Sequence, residues 1–153
     1  MEKMNKYNLG GVFQKNTLTI QDLIDDMSQN DDITKAGAIF SFTGIVRESS
    51  IHSKKKVKQI EIEIWEDKAS ESLIEIANKI KVQFDLIDIR IWHAYGILEL
   101  GENLVHVVVA SKHRDNGLDA IKESINEYKK LAPVWKKEIF EDGSFEWISG
   151  KKK

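Results

Sequence analysis

Apolar residues recur along this chain with two different periods. Ile20, Leu23, Ile24 and Met27 follow the i, i+3, i+4, i+7 spacing of one helix face. The preceding Thr19-Ile20-Gln21-Asp22 has capping-box spacing, with Asp in place of the usual Glu, and Asn30-Asp31-Asp32 closes the segment. Ala36 to Arg47 is rich in β-branched and aromatic residues without a helical period and reads as a strand. A polar, basic loop covers Ser49 to Lys56. Val57 to Trp65 then alternates, with Ile60, Ile62 and Ile64 on one face and Gln59, Glu61 and Glu63 on the other. Ala69, Leu73, Ile76, Ala77 and Ile80 form the stripe of a long helix over about Asp67 to Gln83.

Two more strands are predicted over Leu86 to Ala94 and Leu104 to Ser111, joined by the Gly-bounded segment Gly96-Ile97-Leu98-Glu99-Leu100-Gly101-Glu102. A second long helix spans about Asn116 to Leu131, with Leu118, Ile121, Ile125 and Tyr128 on one side, and Pro133 stops it. Trp135 to Ile148 reads as a hairpin turning at Asp142-Gly143, and Gly150 to Lys153 as a frayed tail expected to be disordered. The predicted order is helix, strand, strand, helix, strand, strand, helix, hairpin. Strand pairs separate the helices, so the expected class is α+β with a mixed or antiparallel sheet rather than a doubly wound parallel one.

The 153 residues fit one domain, 1–153, long enough to bury a core without covalent staples. With no cysteine, the chain lacks disulfides, thiolate metal ligands and a cysteine nucleophile, which fits a reducing, cytoplasmic setting. No apolar run reaches the ~20 residues of a membrane span, and no signal peptide is read at Met1 to Tyr7. A net charge of −2 argues against a non-specific nucleic-acid binder. The placement of the cations is therefore more informative than their number.

Three basic clusters fall at element ends. Gly44-Ile45-Val46-Arg47 closes a strand. Ser111-Lys112-His113-Arg114 leads into a helix, whose free N–H groups attract anions. There Arg114 adds a bidentate fork, and His113 adds a group that moves protons near neutral pH. The third cluster is Lys129-Lys130-Leu131-Ala132-Pro133-Val134-Trp135-Lys136-Lys137-Glu138. Strand alternation points Lys136 and Lys137 to opposite faces, so one can line a pocket while the other meets water. A lysine beside other cations loses its proton more easily and becomes usable as acid, base or nucleophile.

Each cluster also has an ordinary explanation: an exposed arginine, a solvated turn, a basic helix C-terminus. His93 and His106 sit in predicted strands, where packing is the commoner role. Lys54-Lys55-Lys56 reads as a solvated loop, and Ser49-Ser50 has no neighbouring base to make it a nucleophile. Gly10-Gly11 is too short for a phosphate loop, and no His, Asp or Glu spacing matches a metal site, so neither metal nor cofactor is expected.

Taken in order and spacing, these segments resemble the large, catalytic subunit of molybdopterin synthase. The stretch Lys129-x-x-Ala132-Pro133-x-Trp135-Lys136-Lys137-Glu138 is the specific one, and Glu63, His93 and the Gly96–Glu102 segment also fit. The similarity covers roughly Gly37 to Trp147. Where that family often has a Tyr-Pro-Gly-Met type turn, this chain has Trp65-Glu66-Asp67-Lys68.

The resemblance implies an α/β-hammerhead fold and a homodimer that binds two small ubiquitin-like sulfur-carrier subunits, making a heterotetramer. It implies a sulfurtransferase that moves sulfur from the carrier's C-terminal Gly-Gly thiocarboxylate to cyclic pyranopterin monophosphate, forming the molybdopterin dithiolene. Lys129 and Lys136 then match the catalytic lysines, moving protons, stabilising developing negative charge or participating covalently. Arg47, His113 and Arg114 match the anion-binding residues. Counting back from Ala132-Pro133 favours Lys129 over its neighbour Lys130. The alternative is a non-enzymatic dimeric adaptor that docks a ubiquitin-like tail. A domain binding RNA or phosphate is disfavoured by the net charge.

Overall fold

The computed structural model describes residues 5–148, so the tail expected at 150–153 lies outside the described residues. The element order is β1 Gly10–Gln14, α1 Ile20–Met27, a short 3-10 turn Ile33–Lys35, β2 Ala38–Ile45, β3 Val57–Ile64, α2 Glu66–Gln83, β4 Asp88–Glu99, β5 Asn103–Ser111, α3 Arg114–Leu131, β6 Val134–Phe140 and β7 Phe145–Trp147. The strands form one sheet in the order β2-β5-β4-β3-β6-β7, and β1 lies parallel to the middle of β4, Gly10 opposite Ile91 and Gln14 opposite Tyr95. All other pairings are antiparallel. This is the α+β class with a mixed sheet, two long helices and a C-terminal hairpin that the sequence leads one to expect.

Two features differ from the sequence reading. The strand β1 has no sequence signal of its own. It exists because Gly10 and Gly11 admit close neighbours: a Cβ on Gly10 would lie 2.5 Å from the Leu73 carbonyl carbon of α2, and one on Gly11 would lie 2.5 Å from the Trp92 ring. The glycine pair therefore serves helix-on-strand packing. The strand β4 also continues through Gly96 to Glu99, most of the segment read as a connection, leaving only a tight turn at Leu100-Gly101-Glu102 before β5. Gly96, at φ +103°, marks the bend where β4 leaves β5 and β1 to pair with β3.

That bend divides the sheet. The half made of β2, β5, β4 and β1 carries α2 and α3, and Leu73, Ile76, Ala77 and Ile80 of α2 are buried against it. The other half is a smaller sheet of the β4 end, β3, β6 and β7. Ile60 and Ile62 face the core as their alternation requires, while Glu61 on the opposite face pairs with Lys137 at 3.1 Å. Near the N-terminus, Thr19 caps α1 with the full reciprocal box: Asp22 N–H donates to Thr19 Oγ1 and Thr19 N–H to Asp22 Oδ2.

Candidate functional site

The junction of the two sheet halves opens into a pocket of ≈ 590 Å³. Three backbone features bring its cations together. The β2 strand ends at Ile45 and delivers Arg47 to the rim, and Val46 N–H is fixed to the Glu102 carbonyl at 3.0 Å. Helix α3 runs to Leu131 and places Lys129 in its last turn. Pro133 breaks the helix, and the chain re-enters the sheet as β6 with Lys136 facing inward. Thus Arg47, Lys129 and Lys136, from segments far apart in sequence, line one cavity. Lys130 does not line it, and Lys137 points to the opposite face, over the Phe145 and Trp147 rings at 4.7 and 5.4 Å.

The walls are largely apolar, from Phe42, Ile60, Leu104, Val105 and Val134. Burial pushes the Lys136 ammonium below the ordinary lysine range. Glu138 opposes that shift, and the charges of Lys129 and Arg47 add to it. Among the described residues, none of the three cations forms an ion pair, whereas Lys137, Lys79 and Lys55 each do. A half-apolar cavity holding unpaired cations favours an anionic guest with an apolar body.

Three lining residues carried no functional weight in the sequence. His93 is buried on β4, and its Nδ1–H donates to the Ala94 carbonyl at 2.8 Å. Burial holds its pKa down at about 4, with a further push from Lys136, so it is a neutral imidazole at pH 7. Tyr128 meets it edge-on at 5.8 Å, and burial raises the phenol to about 12. Glu138, also buried, accepts a 2.6 Å hydrogen bond from Ser50. Two positions after Lys136 on β6, Glu138 shares its face, and it meets a hydroxyl 88 residues away in sequence. His106 is different: fully buried, stacked on Phe13 and bonded to Thr43 and Leu18, it packs the core.

His113 and Arg114 are not in this pocket. They lie at the opposite end of α3, in a shallow depression with Gly37, Ala38, Lys112, Asp115 and Asn116. Lys129 lies fifteen positions after Arg114 on the same helix, roughly 22 Å along the axis. The β2–β5 register agrees, with Ala38↔Ser111 at one end and Gly44↔Val105 at the other. Ser111 Oγ donates to the His113 carbonyl, and the N-cap residue His113 makes no side-chain hydrogen bond to the first turn of α3. Among the described residues, no group of three or more His, Asp or Glu side chains is arranged to hold a metal ion.

Residues 13–131 match the family model described as MoaE protein. The chain belongs to the MoaE family. It is 37% identical over 117 residues to a molybdopterin synthase catalytic subunit of Pyrococcus abyssi, covering 76% of this chain and 77% of that one. It is equally 37% identical over 114 residues to the Bacillus subtilis catalytic subunit, covering 74% and 71%. Its fold superposes on a crystal structure of molybdopterin synthase from Staphylococcus aureus with a TM-score of 0.78 and 27% identity, over 92% of this chain and 97% of that one. MoaE membership makes this chain a catalytic subunit of an enzyme of molybdenum-cofactor biosynthesis. Four of the five site residues anticipated from the sequence fall inside the matched segment, and Lys136 lies just beyond it.

Proposed function

We propose that this chain transfers sulfur from the C-terminal thiocarboxylate of a small ubiquitin-like carrier subunit to cyclic pyranopterin monophosphate. The observation that carries this reading is the convergence of Arg47, Lys129 and Lys136, none of them ion-paired, on one largely apolar cavity. The carrier tail and the cyclic phosphate are both anions, and the pterin supplies the apolar body. Lys136, its ammonium destabilised by burial, is suited to exchange a proton with the reacting centre. Lys129 and Arg47 stabilise the negative charge that develops when water adds to the carrier's acyl carbon and the sulfur, by then bonded to the pterin, departs to leave the carrier a carboxylate. The sulfur arrives on the partner, so a chain without cysteine suffices.

The same reading includes a homodimer acting in the cytoplasm. His113 and Arg114, which the family resemblance places among the anion-binding residues, cannot reach the pocket of their own chain across ~22 Å of helix. A second copy can supply them. The β2 edge supports this: Ala38–Ile45 carries no charge and no proline, and leaves Ile39 and Ile45 exposed, as a strand awaiting a partner does. Two β2 strands paired antiparallel about a two-fold axis would set the Ala38 end of one copy beside the Ile45 end of the other. That would bring one copy's His113 and Arg114 towards the other's Arg47.

The test is a turnover assay with thiocarboxylated carrier and cyclic pyranopterin monophosphate, reading molybdopterin as its fluorescent oxidation product. Folded Lys129→Ala and Lys136→Ala proteins should each lose ~10²-fold or more of the wild-type rate. A wild-type protein that binds the carrier tail but forms no product would establish the adaptor reading instead.

A further inference from the structure

The hydroxyl of Ser50 has no role in the sulfur-transfer chemistry, yet it is bonded from both sides. It donates to Glu138 Oε1 at 2.6 Å and accepts from the His52 N–H at 3.2 Å. Ser50 lies in the loop between β2 and β3, whose base is closed by Val57 N–H donating to the Glu48 carbonyl and by a Ser49–Lys56 bridge. Glu138 sits two residues after Lys136 on β6, so both side chains emerge on the pocket face. A carboxylate and an ammonium so placed, half-sheltered from water, are natural ion-pair partners. They form none: the Glu138 carboxylate is turned to Ser50 instead.

We propose that Ser50 is a positioning residue whose hydroxyl holds the Glu138 carboxylate away from Lys136 and so keeps the Lys136 amine free for the substrate. The inference rests on the catalytic reading of that pocket. A hydroxyl is well suited to this role, because it gives a carboxylate a short charge-assisted bond without introducing a competing charge. The other charged and titratable groups lining the cavity are Arg47 and His52 from the loop, Lys129 and Tyr128 from α3, and His93 from β4. None of these is an acid that could take Glu138's place as a counter-ion to Lys136. His93 is held neutral and Tyr128 protonated near pH 7. Burial lowers the Lys136 pKa, the Glu138 charge already opposes that shift from a distance, and Lys129 and Arg47 add to it; Ser50 keeps Glu138 from closing to a direct ion pair that would oppose it further.

The Lys136 amine can be titrated directly by NMR in the full chain, independently of turnover. Removing the hydroxyl in Ser50→Ala, or in Ser50→Gly as a second variant, should let Glu138 swing onto Lys136 and raise its titration midpoint by about one pH unit. Ser50→Thr, which keeps the hydroxyl, should retain the wild-type midpoint. In a Glu138→Gln background, adding Ser50→Ala should produce no further shift, because the carboxylate that Ser50 restrains is gone. In the turnover assay, the limb of the pH–rate profile governed by Lys136 should move to higher pH, with KM little changed. An unchanged midpoint in folded Ser50→Ala and Ser50→Gly proteins, or a shift that persists with Glu138→Gln, overturns the proposal. A shifted midpoint in a protein that makes no product supports the positioning role and defeats only the sulfur-transfer reading.

Discussion

His93 and His106 are both buried in strands of the main sheet, and burial lowers the pKa of each, that of His93 to about 4. Unfolding returns His93 to the ordinary value near 6.5. Between pH 4 and 6.5 the unfolded chain therefore binds more protons than the folded one, so stability must rise with pH across that window and fall on acidification. The full transit through both values amounts to roughly 3 kcal/mol for His93 alone. Urea denaturation at several pH values should show this slope in the wild type and a distinctly flatter one in His93→Gln. Parallel slopes in the two proteins would mean that His93 is not a neutral buried imidazole. The two histidines share a sequence signature, and only their neighbours separate them: Lys136 and Tyr128 around His93, Phe13 and Thr43 around His106.

At the scale of elements, the docking of α2 on β1 depends on the absence of a side chain at one point. A methyl group on Gly10 would meet the backbone of Leu73 and Ile74 at 2.5–2.8 Å, and a helix backbone cannot step aside as a flexible side chain can. Gly10→Ala should therefore cost about 1–3 kcal/mol through overpacking. The midpoint of urea unfolding should fall with the slope m unchanged, and a midpoint equal to the wild type would show that α2 does not sit this close to β1. The same contact explains why β1 was illegible in the sequence. Its residues, Gly-Gly-Val-Phe-Gln, lack both the β-branched density and the alternation that identify a strand. Tertiary pairing to β4 overrides that weak propensity. By contrast, β3 and α2 were legible to within a residue or two, because each buries one face along its whole length and must repeat its apolar period to do so. The extent of α3 was legible too, but not its face: Leu118 is exposed, and Gly117, Ala120, Ser124 and Glu127 are buried with Tyr128 because small residues let the helix pack closely on the sheet.

For the whole molecule, the separation of the two cationic groups makes assembly a requirement of the proposed chemistry. Sedimentation should find the wild type at twice the 17.6 kDa chain mass and an Ile39→Lys variant shifted towards one, because a charge on the β2 edge opposes strand pairing. Complementation probes the site itself. If each pocket draws Arg114 from its neighbour, mixing inactive Lys136→Ala and Arg114→Ala proteins should restore activity at about a quarter of the sites, since each hybrid dimer carries one intact pocket. No recovery after subunit exchange, with hybrids shown to form, would place Arg114 outside the reacting site. Among the described residues no helix is long and apolar enough to cross a membrane.

The sequence by itself determined the α+β class, the long helices, the inward and outward alternation of Lys136 and Lys137, and the ordered motifs that mark the family. All of these are carried by local period or by local spacing, which a single chain displays directly. Only the tertiary structure decided that Arg47 and Lys129 share a cavity with Lys136 while His113 and Arg114 face a separate depression. Residues grouped by a motif are near in sequence, but their distance in space depends on strand order and on the length of α3. The Ser50–Glu138 bond, spanning 88 positions, and the neutral state of His93 belong to the same class. Each arises from burial and from partners brought together by folding, for which no stretch of the chain carries a local signal.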